Sequence, residues 1–293
     1  MNVEGRVVIC LVGMHRSGTS MVARLLQRCG VYLGKEEDLG APAPDNPRGF
    51  AENRYFVEIN DAILARLRGG WDAPPEFVPG WQDLPEFEDL RQQALALIAT
   101  MAGQPVWGWK DPRTTLTLPF WQALVPHLRV LVCVRHPLTV ALSLHNRNFS
   151  SVASGLRLWR AYYETLNSSL SAMNRVVTHY DRYFDQPFPE LFRVLGGLGL
   201  PRDHVTIETA LAEVEPTIRH HDTSEIDTSS GQLDEAVLGL YRSLCAEANS
   251  VGAGLPRDPE AKDTGSRTSA ATATIQARES ARRSGGQPPD GGG

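Results

Sequence analysis

Nothing in this chain's composition ties it to a membrane, a disulfide framework or a nucleic acid. Its 293 residues contain no apolar run of the roughly 20 residues that a membrane span needs. Met1 to Gly5, ahead of the first strand, is too short for a secretory leader, so none is expected. The formal net charge of −5 excludes a generally basic, nucleic-acid-coating surface. Cysteine is scarce: Cys10, Cys29, Cys133 and Cys245 sit in apolar surroundings, with neither a C-x-x-C nor a Cys/His zinc spacing. They read as reduced core residues. No Gly-Lys-[Ser/Thr] loop of a nucleotide triphosphatase is present, no metal cage is apparent, and no internal repeat appears. These absences predict a cytoplasmic protein with no nucleic-acid or membrane partner, and they leave the oligomeric state open.

What is present begins at residues 6–26, RVVICLVGMHRSGTSMVARLL. Val7 to Val12 form a continuous β-rich apolar run, as in a strand covered on both faces. Gly13-Met14-His15-Arg16-Ser17-Gly18 is a turn with a glycine at each end. Thr19 and Ser20 then open a helix whose Met21, Val22, Leu25 and Leu26 share one face. A strand, a glycine-bounded loop and a helix N-terminus together make an anion site, with free N–H groups and the positive end of the helix dipole. Ser17, Thr19 and Ser20 add hydroxyls, and Arg16 adds a permanent charge suited to a metal-free oxyanion contact.

Along the rest of the chain, strands are expected at 105–110, 129–134 and 175–179, with a short extended piece at 29–34. Helices are expected from the apolar face Phe56, Ile59, Ile63, Leu64 and Leu67, then over 86–101, 119–125 and from Pro137. Further helices are expected over Val152 to Met173, 190–198 and 232–248. Residues 35–48 and 71–85 read as loops; the second, with four prolines and two tryptophans, is either a surface loop pinned by aromatics or an acceptor-side lid. Residues 201–230 are polar and weakly patterned. Strands alternating with helices predict an α/β three-layer sandwich around a mainly parallel sheet. The expected partition is one domain over 1–255 and a disordered low-complexity tail over 256–293.

Two more clusters carry chemistry. In Trp107-Gly108-Trp109-Lys110-Asp111-Pro112-Arg113 a lysine follows a strand directly. Ligands of open α/β sheets bind beyond the carboxyl ends of strands. Lys110 could therefore follow charge onto a leaving oxygen, or else pair locally with Asp111. In Arg135-His136-Pro137-Leu138-Thr139-Val140-Ala141-Leu142-Ser143 an arginine ends a buried strand and a serine lies two turns into the next helix. Arg135 can fork two hydrogen bonds to a phosphate.

These three stretches resemble the sulfotransferases that use 3′-phosphoadenosine 5′-phosphosulfate (PAPS). The loop at 13–20 resembles their 5′-phosphosulfate loop, and W-K-D-P often occupies the place of 109–112. Their R-[DN]-P-x-[DE]-x-x-x-S matches Arg135 to Ser143, with His136 replacing the acidic or amide residue. The resemblance implies a P-loop-containing nucleotide hydrolase-like fold and PAPS as co-substrate. It places the 5′-phosphate at Gly13, His15, Arg16, Ser17, Gly18, Thr19 and Ser20, and the 3′-phosphate at Arg135 and Ser143. It puts Lys110 on the bridging oxygen or sulfuryl group. His179-Tyr180-Asp181-Arg182 resembles the family's Y-E-D-L segment, where Tyr180 would approach the adenine; a core tyrosine is the other reading. Arg219 falls where the family supplies a late 3′-phosphate contact. The R-K-G and K-x-F-T-V motifs of the cytosolic members are absent.

The implied reaction transfers a sulfuryl group to a hydroxyl or amine of a small-molecule or glycan acceptor, without a metal. Arg16 and Lys110 would stabilise the leaving charge. Glu52, before a helix and after a long loop, is the first choice for the base, with Glu36 and Glu37 behind it. A P-loop small-molecule kinase and a non-catalytic nucleotide-binding module are the rival readings.

Overall fold

The computed structural model describes residues 6–41, 49–148, 151–170, 175–212, 214 and 233–249. In chain order the main elements begin with β1 (Val7–Val12), α1 (Thr19–Arg28), α2 (Arg54–Arg66), α3 (Glu88–Met101), β2 (Val106–Lys110) and α4 (Thr114–Leu124). Then come β3 (Arg129–Val134), α5 (Pro137–Asn148), α6 (Val152–Ser169), β4 (Arg175–His179), α7 (Arg182–Asp185), α8 (Pro187–Gly197), α9 (His204–Leu211) and α10 (Glu235–Asn249).

The four strands form one sheet in the order β2-β1-β3-β4, and every pairing is parallel. The continuous apolar runs are explained by burial on both faces. Val8, Cys10 and Val12 point into a core shared with Trp107, Trp109, Val130, Val132 and residues of α2, α3, α4, α5, α6 and α10. Ile9 and Leu11 point the other way, with Leu131, Cys133 and residues of α1, α8 and α9. This is the expected three-layer sandwich. Register aligns the strand ends: Leu11 lies beside Lys110 and Leu131, and Val134 beside His179. Consequently Gly13, Asp111, Arg135 and Tyr180 leave the sheet at one rim. The extended piece at 29–34 shields the β2 edge, where Tyr32 N–H donates to Val106 O at 3.1 Å and Gly108 N–H to Tyr32 O at 2.9 Å.

Several bounds differ from expectation. α4 starts at Thr114 and carries Pro119 inside it. The start comes from the turn after β2, where Thr114 N–H bonds Asp111 O at 3.0 Å and Asp111 Oδ1 accepts the Arg113 N–H at 3.0 Å. α9 lies in the stretch that reads as polar and weakly patterned. Its only buried residues are Ile207 and Ala210, and Asp203 caps it by accepting the Thr206 N–H at 2.8 Å. The helix expected from Glu86 begins at Glu88, after a 3-10 turn at Pro85–Phe87. Trp81 is buried against Phe77 and Phe87, so it anchors the 71–85 loop. The continuation of α6 to Met173, the position of Arg219 and the tail from 256 fall outside the described residues. Among the described residues, no helix is long and apolar enough to cross a membrane.

Candidate active site

The loop between β1 and α1 is built for close approach. Gly13 has φ +140° and lies so near β3 that an added Cβ would stand 2.3 Å from Cys133 O. Gly18 has φ +87°, and a Cβ there would stand 2.0 Å from the Tyr180 ring. Only glycine satisfies both constraints at these two positions. Arg16 also adopts a left-handed backbone, with φ +69°. The loop is fastened from beneath by Tyr163, whose hydroxyl donates to Cys133 O at 2.7 Å. That hydroxyl then accepts the Met14 N–H and the Ser17 hydroxyl, both at 3.3 Å. Burial pushes the Tyr163 pKa well up, so it stays a neutral donor. Ser17 is therefore wholly buried, with its hydroxyl turned to Tyr163. Gly13 N–H is taken by Thr115 Oγ1 at 2.9 Å. At the start of α1 no side chain caps the helix and no acidic residue lies in the first turn, which keeps this end positive.

Lys110 reaches the loop from β2 and is 1% exposed. Its ammonium donates to Glu52 Oε1 at 2.7 Å and to Ser20 Oγ at 3.2 Å. An ammonium has three protons, so one remains for an incoming oxygen. Lys110 does not pair with Asp111. The Asp111 carboxylate is buried and accepts from Asn60 Nδ2 at 2.8 Å and from the Arg113 side chain at 3.1 Å.

Glu52 is delivered by a short antiparallel bridge between Leu39 and Asn53, with Gly40 N–H on Glu52 O at 2.8 Å. Arg24 of α1 holds Gly49 O just upstream. Asn53 then caps α2, accepting the Tyr55 N–H at 3.1 Å. Glu36 and Glu37 are exposed, and Glu37 pairs with Lys35 at 3.8 Å, so neither stands with Lys110 as Glu52 does.

On the β3 side, Arg16 Nε donates to Ser143 Oγ at 2.9 Å, and Arg135 Nη1 donates to Arg16 O at 3.3 Å. The Arg135 guanidinium lies 4.4 Å from the centroid of the Tyr180 ring, which is itself buried under Gly18. The structure thus gathers Arg16, Arg135, Ser143 and Tyr180 around the loop. Thr19 is buried at its far end.

His15 is the loop's orphan. Its Nε2 is buried with no hydrogen-bond partner among the described residues. Burial, followed by repulsion from Arg113, Lys110, Arg147 and Arg16, pushes its pKa well below 6.5. Held neutral among these cations, the imidazole can offer one N–H donor at the loop. Trp71 closes over it with ring centroids 4.7 Å apart, and Tyr162 fastens Trp71 by donating to its carbonyl at 2.8 Å. The 71–85 loop therefore touches the site at Trp71. Trp71, Tyr162, Tyr163, Thr115 and Arg113 join the site in the folded chain without being among the candidate residues the sequence points to. Of these, Arg113 carries a signal by following Lys110-Asp111-Pro112, and Trp71 by opening the tryptophan-bearing loop that reads as a pinned surface loop or a lid; Tyr162, Tyr163 and Thr115 carry none.

A sequence model of the sulfotransferase family matches residues 9–204. Among solved structures, the fold is similar to the sulfotransferase domain of the olefin synthase of Synechococcus PCC 7002. The two share 17% identity with a TM-score of 0.51, covering 82% of this chain and 94% of that one. A sulfotransferase of Mycobacterium tuberculosis H37Rv matches at 14% identity and a TM-score of 0.46, covering 82% of this chain and 78% of that one. A sulfotransferase of Mycobacterium avium matches at 13% and 0.48, with 84% and 77% covered. No curated protein matches the sequence significantly.

Proposed function

The chain belongs to the sulfotransferase family, and from that premise we propose that it moves a sulfuryl group from PAPS to a hydroxyl or amine acceptor by metal-independent in-line transfer. The observation that carries this reading is the Lys110 ammonium poised between Glu52 and Ser20 at the mouth of the glycine loop.

When bound, PAPS supplies the sulfuryl group and a 5′-phosphate that leaves with its charge. The fit rests on the positive, uncapped start of α1, the unpartnered His15 Nε2 and the convergence of Lys110, Arg16 and Arg135. The loop, through His15, Arg16, Gly18, Thr19 and Ser20, holds the 5′ end, while Gly13, its N–H taken by Thr115, gives the tight turn against β3 and Ser17 braces the loop on Tyr163. Arg135 and Ser143 hold the 3′-phosphate, and Tyr180 lies beside the adenosine. Lys110 turns its remaining N–H toward the leaving oxygen, where a fixed charge in a water-poor site is most effective. Glu52 takes and holds the proton that the acceptor gives up. The pair supports both roles, since each member is kept close to the loop by the other.

The catalytic domain is proposed to span 1–255, in a cytoplasmic setting. The four cysteines are free thiols, as in a compartment that keeps thiols reduced. The acceptor is a small molecule or glycan.

Incubation with PAPS carrying labelled sulfate and a panel of phenols, glycans and lipids tests the reading; a labelled organic product is expected. PAP (3′-phosphoadenosine 5′-phosphate) should raise the melting temperature and ATP with Mg²⁺ should not. The reverse result would favour a kinase, and PAP binding without any sulfated product would favour a binding module.

A further inference from the structure

We propose that Arg113 is a positioning residue for the Glu52 carboxylate, locked in place by the buried Asn60–Asp111 pair; this rests on Glu52 being the base. The Asn60 side chain is wholly buried and all four of its hydrogen-bonding positions are filled. Its Nδ2 donates to Asp111 Oδ2 at 2.8 Å and Thr114 Oγ1 at 2.9 Å, while its Oδ1 accepts from Thr117 at 2.6 Å and Trp121 at 2.8 Å. An amide so saturated has one orientation only. It fixes Asp111, whose other oxygen binds both the backbone N–H and the Nη1 of Arg113, at 3.0 and 3.1 Å. Asp61 takes Arg113 Nε at 2.6 Å. Burial works against the Arg113 charge, but Asp111, Asp61 and Glu52 outweigh it and raise its pKa.

The consequence falls on Glu52. Lys110 holds its Oε1 at 2.7 Å, and Arg113 Nη1 faces its Oε2 at 3.9 Å. That second separation is too long for a hydrogen bond, yet short enough for attraction in a partly buried site. The two cations have different freedom. Lys110 sits on a flexible stem and has a second task at the loop. Arg113 is clamped by two carboxylates. When Lys110 turns to the leaving oxygen, Arg113 is the cation that keeps Glu52 in place. An arginine that only neutralised Asp111 and Asp61 would matter for folding and not for Glu52.

The test is a double-mutant cycle on the full chain, read as release of labelled sulfate from PAPS with water as acceptor. Arg113→Ala is expected to lower kcat about tenfold while KM for PAPS and the affinity for PAP stay within about twofold. In a Glu52→Gln background the same change should cost less than about twofold, because its target is gone. Arg113→Lys, which keeps the charge without the fork, should recover part of the loss, and it serves for the same cycle if Arg113→Ala fails to fold. In nitrogen-15 spectra of the PAP-loaded protein, Glu52→Gln should shift the Arg113 guanidinium signals. An equal tenfold loss in both backgrounds, or unshifted Arg113 signals, would overturn the proposal while leaving Glu52 as the base. Near-normal turnover of Glu52→Gln alone would overturn the base assignment, and this inference with it.

Discussion

Lys110 and Glu52 lie 58 positions apart in the chain and form an ion pair of 2.7 Å, with side chains 1% and 17% exposed. The pair joins the end of β2 to the approach to α2, and through Ser20 it joins both to α1. Two groups with separate proposed tasks, one for the leaving charge and one for the acceptor proton, are thereby held in reach of one loop.

Glu52→Gln keeps the shape and an oxygen for Lys110 but cannot hold a proton. Turnover is expected to fall about 10²-fold. PAP affinity, followed by calorimetry, should be unchanged. Turnover within a few-fold of the parent would remove Glu52 from the role.

Arg135→Ala should act on one phosphate only. The parent is expected to bind PAP far more tightly than AMP, which lacks the 3′-phosphate. The variant should lose most of that difference, by about tenfold or more, as a charge-assisted fork is worth about 1.5–3 kcal/mol. Parallel titrations with the two nucleotides read the ratio, and an unchanged ratio would place the 3′-phosphate elsewhere.

Gly18→Ala is expected to abolish the melting-temperature rise given by PAP and to destabilise the free protein. The new Cβ meets the Tyr180 ring at 2.0 Å, and φ +87° is itself unfavourable to alanine. Gly103→Ala, where nothing lies within 4 Å of the added carbon and φ is not positive, is the matched control.

Asn60→Ala should cost about 3 kcal/mol in denaturant unfolding, because it leaves buried groups of Asp111, Thr117 and Trp121 without their partner. Asn60→Asp should also destabilise, since it sets a second carboxylate beside Asp111. A loss below about 0.5 kcal/mol for the alanine variant would mean the network relaxes around the gap.

The free protein should lose stability as pH falls below about 6.5. His15, His136 and His179 all have folded pKa values pushed below that ordinary value, with burial the largest cause for each. The unfolded chain then binds protons more readily, so their contribution is full above 6.5 and declines as pH drops toward the folded values. His15→Gln should make the decline shallower in chemical melts across that range. An unchanged slope would show that His15 does not titrate with folding.

Residue order already carries the layers of this protein and the positions of its loop. An apolar run as short and as β-branched as Val7 to Val12, ended by a glycine, reads as a strand buried on both faces, and the glycines at 13 and 18 mark where backbone passes close to something. Periodicity and glycine spacing are local properties, so they survive in a linear reading. The bounds of α4 and the existence of α9 did not, because both depend on one or two side-chain bonds, from Asp111 and Asp203, rather than on an apolar stripe.

Tertiary structure alone decided which charges meet. Lys110 could have closed on Asp111, its neighbour in the chain. Parallel register instead carries Lys110 to the loop, while Asn60, 51 positions before Asp111, draws that carboxylate into the core. The same folding turns Ser17 down onto Tyr163 and brings Trp71 over His15. Partner choice among buried polar groups follows from distance and desolvation in three dimensions, and nothing in residue order encodes it directly.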